Sequence, residues 1–120
     1  MSTYSRPPGK TTIAPEVLIS IARLATLGVE GVSQLSTGAR DMNRLFKRGT
    51  SEGVNITVED SVVYCDLYVI LRRDVNVRDV ARNIQHQVSR AISEMVGMDV
   101  GKVNVHIDDI DYEANKPENL

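Results

Sequence analysis

Apolar residues recur every three or four positions from Val77 to Met95: Val77, Val80, Ala81, Ile84, Val88, Ala91, Ile92 and Met95. On a helix this spacing gathers them into one stripe, with Arg78, Arg82, Gln85, Ser89, Arg90, Ser93 and Glu94 largely on the other side. Both ends are marked. Asn76 can accept from the first-turn amides, with Asp79 three residues on, and Gly97 suits the left-handed stop, with Met98 folding back onto the last turn. A second stripe, Val17, Leu18, Ile21, Ala22, Leu24 and Ala25, follows Ala14-Pro15-Glu16. Proline at the first helical position forfeits no hydrogen bond, and Glu16 sits at the positive end of the helix dipole. Gly28 ends this helix, and Val29-Glu30-Gly31-Val32 reads as a tight exit that returns a valine to the core.

Elsewhere the period is two. Val54-Asn55-Ile56-Thr57-Val58-Glu59 alternates as a half-buried strand. Asp60-Ser61 makes the reversal without the glycine that most favours a two-residue hairpin. In the long strand from Val62 to Arg72, Val63, Cys65, Leu67, Val69 and Leu71 form one face; Val62, Tyr64, Asp66, Tyr68 and Ile70 form the other. Lys102 to Asp108 alternates again. Between the first helix and the first strand, Ser33–Gly38 reads as a polar loop. Ala39–Arg48 carries Ala39, Met42, Leu45 and Phe46 at helical spacing, a short amphipathic helix, and 49–53 is a hinge-like connection. The fold class is α+β, in the order α-β-β-α-β, with two long helices on one face of a three-stranded, mainly antiparallel sheet and the short helix before its first strand. The last strand can lie antiparallel beside Val54–Glu59 or parallel beside Val62–Arg72. The first arrangement, with Val54–Glu59 central, is the expected one.

Composition limits the chemistry. At 120 residues the chain makes one domain, 12–111, with a disordered N-terminal tail over 1–11 and an acidic C-terminal tail over 112–120. The core is aliphatic: there is no Trp and one Phe. A single cysteine, Cys65, excludes an internal disulfide and fits a reducing cytoplasm. The N-terminus lacks the apolar run of a signal peptide, and no segment approaches the ~20 apolar residues that span a bilayer. The net charge of −2 argues against general nucleic-acid binding. The charge is uneven, however: Arg40, Arg44, Lys47 and Arg48 form a basic patch, and acids dominate from Asp108 to Glu118.

No catalytic constellation appears: no nucleophile elbow, no phosphate loop, no Cys or His pair at metal-ligand spacing. No catalytic residue, cofactor or metal is expected. Cys65 reads as a buried, inert thiol and His86 as a surface or boundary residue. His106 reads as an ordinary surface histidine or as one half of a pair with Asp66 or Asp108. Arg40, Arg44, Lys47 and Arg48 form a solvated face, or a surface for anionic membrane or nucleic acid. The sheet face away from the helices stands out. It would present Asn55, Thr57 and Glu59, then Tyr64, Asp66, Tyr68 and Ile70, then Asn104, His106 and Asp108. Tyrosines in line with an isoleucine on a flat surface are typical of interfaces. Tyr64, Asp66, Tyr68, Ile70, Asn104 and His106 are therefore the candidate partner interface.

The segments Thr12-Ile13-Ala14-Pro15-Glu16-Val17, Gly31-Val32, Gly53-Val54-Asn55-Ile56, Val63–Leu71, Ile84-Gln85-x-x-Val88 and Val103-Asn104-Val105-His106-Ile107 stand in the order and spacing of a known family. Together, over about residues 11–111, the chain resembles the alkaline shock protein family of envelope-stress-response proteins from Gram-positive and related bacteria. The resemblance implies a non-enzymatic, cytoplasmic protein that self-associates and is held at the inner face of the membrane by a membrane-anchored protein partner. It also implies, for compact members, housekeeping roles linked to lipid metabolism or envelope homeostasis. Asp60-Ser61 and Arg72-Arg73 depart from the family's usual turn and strand end. Two other readings compete: an RNA-binding module, since some share this element order, and a small-ligand sensor linked to lipid metabolism. The missing Gly-x-x-Gly clamp, the missing aromatic RNA-binding pattern and the acidic balance weigh against the first.

Overall fold

The computed structural model describes residues 8–36, 50–51 and 53–113. Helix α1 spans Pro15–Leu27 and α2 spans Val77–Val96; the strands are β1 (Val32–Leu35), β2 (Thr50–Ser51), β3 (Val54–Glu59), β4 (Val62–Arg72) and β5 (Asp99–Asp111). The helix signals act as expected. The Asp79 amide donates to Asn76 Oδ1 at 3.0 Å, and Gly97 closes α2 at φ 76°. The spans of β3 and β4 match their alternation. The short helix expected over 39–48, with its basic residues Arg40, Arg44, Lys47 and Arg48, lies outside the described residues. So do most of both expected tails.

The sheet corrects the expected topology. β4, not β3, is the central strand, and β5 runs parallel to it, from Val62 opposite Asp99 to Arg72 opposite Asp111. The other edge of β4 is shared: β3 covers Val62–Leu67 antiparallel, and β1 covers Val69–Leu71 antiparallel. β2 pairs with the outer side of β3 at Val54 and Asn55. The sheet is thus mixed and five-stranded rather than three-stranded. Strand length supplies the reason. A six-residue β3 cannot satisfy the backbone of an eleven-residue β4, and unpaired buried backbone groups are costly. Ser36 N–H donates to Tyr68 O at 2.7 Å, Tyr68 N–H to Gly53 O at 2.8 Å, and Arg72 N–H to Gly31 O at 2.8 Å. The segment read as an exit and polar loop is therefore strand β1. On the opposite edge, α2 runs about 30 Å at 1.5 Å per residue, close to the length of β4. The chain returns to the start of β4 and can pair along all of it.

The core forms between this sheet and the two helices. Leu18, Ile21 and Ala22 of α1 and Val80, Ile84, Val88 and Ile92 of α2 pack with Val54, Ile56, Val63, Cys65, Leu67, Val69 and Leu71. Both helices therefore lie on one sheet face, as the stripes require. Thr26, buried within α1, donates its hydroxyl to Ala22 O at 2.7 Å, which satisfies it inside its own helix.

The β3–β4 turn is strained. Asp60 and Ser61 have φ of 52° and 67°, the two left-handed positions of a type I′ hairpin, where a side chain costs energy and glycine does not. Ser61→Gly is expected to raise stability by about 1 kcal/mol in urea unfolding, with an unchanged m-value.

Candidate functional site

The side of the sheet away from the helices carries no covering element among the described residues. β4 presents Tyr64, Asp66, Tyr68 and Ile70 there, each half-buried. β5 brings its residues alongside because it is parallel: Lys102 opposite Tyr64, Asn104 opposite Asp66, His106 opposite Tyr68 and Asp109 opposite Ile70. β3 adds Asn55 opposite Asp66 and Thr57 opposite Tyr64. The expected interface residues are thus brought together. Asp108 is the exception. A bulge between Ile107 and Asp109 shifts the alternation, so Asp109 takes the place beside Ile70 expected for the next even-numbered residue.

At the centre lies a small polar cluster on an aromatic base. The rings of Tyr68 and His106 stack, with centroids 4.4 Å apart and planes 14° from parallel. His106 Nε2 lies 3.1 Å from Asp66 Oδ1, and Asn104 Nδ2 donates to the same oxygen at 3.2 Å. A carboxylate only accepts, so His106 carries a proton on Nε2. Asp66 therefore holds His106 and Asn104 in place and sets the ring that Tyr68 covers. Of the two carboxylates suggested for His106, Asp66 is the one it meets. His106 and Asp66 side chains are 40% and 38% exposed, open to a partner yet ordered by one another.

Tyr64 is placed differently. A second bulge in β5, at Gly101, lets the Tyr64 ring lie directly on the strand backbone, where a β-carbon would collide with it. Reading from the sequence missed Gly101 and Lys102 as neighbours of Tyr64, because the expected strand began only at Lys102 and was placed beside β3 rather than β4. The signal was Val100-Gly101, one step of alternation before a glycine. At the far end, Ser33 Oγ donates to Asp111 Oδ2 at 2.7 Å and ties β1 to β5 across β4.

Cys65 points to the other side of the sheet, buried in the core. Burial, with a smaller contribution from the Asp66 charge, pushes its thiol up to about 12. At neutral pH it is a thiol rather than a nucleophilic thiolate. His86 is exposed on α2, as expected. Among the described residues, no group of three His, Cys, Asp or Glu could hold a metal ion, and no helix is long and apolar enough to cross a membrane. What this face can do is present aromatic area and fixed hydrogen-bonding groups to a flat partner.

Two helices on one side of a mixed sheet, with no element over the opposite side among the described residues, define a small α+β protein with a broad sheet face. The sequence pattern of the alkaline shock protein 23 family, of cell envelope-related function, matches residues 4–112, and the chain belongs to that family. It is 36% identical over 112 residues to the protein Spy1535 of Streptococcus pyogenes serotype M6, covering 92% of this chain and 86% of that one. It is 28% identical over 114 residues to YqhY of Bacillus subtilis, covering 92% and 83%. Among solved structures, a double variant of MamM-CTD superposes with a TM-score of 0.50 at 11% identity, over 81% of this chain and 95% of that one. That likeness concerns the fold alone.

Proposed function

We propose that this protein is a non-enzymatic interaction module of cell-envelope homeostasis that self-associates and docks a membrane-anchored protein partner through its open sheet face. The observation that carries the reading is the Tyr68–His106 stack locked by Asp66. Rigid aromatic groups with their hydrogen-bonding tips already oriented lose little entropy on docking. Family membership supports the envelope setting. A membrane-anchored partner would hold the chain at the inner face of the membrane.

Sedimentation velocity over a concentration series tests self-association, with Tyr68→Ser and Ile70→Ser as probes. Both residues sit on the open face, so neither change removes core packing. Each is expected to weaken association at least tenfold, about 1.4 kcal/mol. A protein that stays monomeric throughout, or associates equally well with both substitutions, overturns the assignment of this face.

A further inference from the structure

Among the described residues the sheet also has an unpaired edge beside an apolar hollow, on the side that bears the helices. A groove of about 450 Å³ opens between the lead-in to α1, the first turn of that helix and the hairpin end of β3; Ile13, Leu18, Ile56, Val58 and Met98 are among its lining residues. Val58 is 46% exposed and Ile13 37%, although alternation points Val58 inward. The helices cover β3 only as far as Ile56, and the third inward aliphatic of that strand is left at the rim.

The backbone beside the groove is equally unfinished. A two-residue turn makes Glu59 and Val62 a hydrogen-bonded pair, and alternation extends the pattern to Thr57 and Asn55. The bond from Tyr68 N–H to Gly53 O follows the same parity. Ile56 and Val58 therefore turn their own N–H and C=O groups away from β4, to the outer edge. β2 pairs with that edge at Val54 and Asn55 only, and no other described residue pairs beyond them. The same two residues thus offer side chains to the groove and main-chain groups to the edge. The exposed charges flanking the lining segments are Glu16, Glu59, Asp60 and Asp99, against Lys10 alone.

We propose that this edge and groove form a strand-addition site for an extended segment of a partner polypeptide in which apolar and basic side chains alternate. An added strand takes up the outward groups of Ile56 and Val58 and lays its apolar side chains over Val58 and Ile13. Alternation then sends its basic side chains to the opposite face of the sheet, where Glu59 stands at the edge. An alkyl ligand would use the hollow but not the main-chain groups, and an anionic lipid surface would meet four acids. The site includes neither Tyr68 nor His106, so it stands or falls apart from the open face.

The test uses the full chain and the peptide acetyl-Lys-Val-Lys-Val-Lys-Val-amide, with anisotropy for affinity and amide hydrogen exchange for the edge. Saturable binding is expected, together with at least tenfold slower exchange at the Ile56 and Val58 amides. The same peptide N-methylated at alternate amides, so that one edge loses its donors, should bind at least tenfold more weakly. The glutamate counterpart should also bind at least tenfold more weakly. Val58→Lys and Ile13→Lys, both at exposed positions, should lose binding by the same margin, whereas Tyr68→Ser keeps it. No saturable binding, equal binding of the N-methylated peptide, or undiminished binding by the glutamate peptide overturns the proposal. So does full protection of Ile56 and Val58 in the peptide-free protein, which would mean that the chain's own residues complete the edge.

Discussion

Gly53→Ala is expected to destabilise the protein by about 3 kcal/mol, more than any surface substitution. Gly53 stands where the end of β1, the start of β3 and the middle of β4 converge. A β-carbon there would lie 2.7 Å from Ser36 O and 2.9 Å from Tyr68 O, and both are backbone atoms that no rotamer change can move. Its φ of +84° adds the cost of a left-handed residue, about 1–2 kcal/mol, to an overpacking cost of about 1–3 kcal/mol. Relief would require breaking the bonds from Ser36 to Tyr68 and from Tyr68 to Gly53, which join the two strands to the sheet. Equilibrium urea unfolding checks this: the midpoint falls while the m-value holds. A midpoint close to that of the unsubstituted protein would show that β1 and β3 can separate cheaply here. Tyr68 contributes these backbone groups and the ring on the open face, so the substitution should also weaken self-association.

The second large effect is a loss of stability in alkali that resides in Cys65. The thiol is held near 12 in the folded protein against 9.0 when unperturbed, chiefly through burial. The folded-state value is raised, so the contribution is fully present below about pH 9, where the thiol is protonated in both states. Above that the unfolded chain releases its proton while the folded chain keeps it, and stability falls as pH rises toward 12. The full shift corresponds to about 4 kcal/mol, of which roughly half is lost by about pH 10.5. Alkali acts on more than this one thiol, so the measurement is the difference in slope between the unsubstituted protein and Cys65→Ala. Urea unfolding at pH 8 and about 10.5 should show a drop about 2 kcal/mol smaller in the variant. Equal drops would place the Cys65 thiol in contact with water.

Much of the architecture was written locally. The stripes and caps of α1 and α2 need only residues within a few turns of one another, and β3 and β4 follow from side-chain alternation. Both faces of β4 were legible for the same reason, which is why Tyr64, Asp66, Tyr68 and Ile70 could be named together. β1 was not: Val32–Leu35 is short, and it is a strand because β4 outruns β3 and leaves backbone groups to be met. That mismatch of six residues against eleven was visible in the chain, but its remedy was not.

The sequence alone determined which residues turn toward a core and which toward water, since helix and strand periods are properties of neighbouring residues. The tertiary structure decided which strand lies beside which. Placing β5 parallel to β4 rather than antiparallel to β3 is a choice between distant partners, settled by strand length and the reach of α2. That choice brings His106 onto Tyr68 and within reach of Asp66, and among the described residues it leaves the outer edge of β3 without a partner beyond Asn55. Both surfaces proposed for binding thus arise from one decision about pairing, made by backbone groups that no local pattern records.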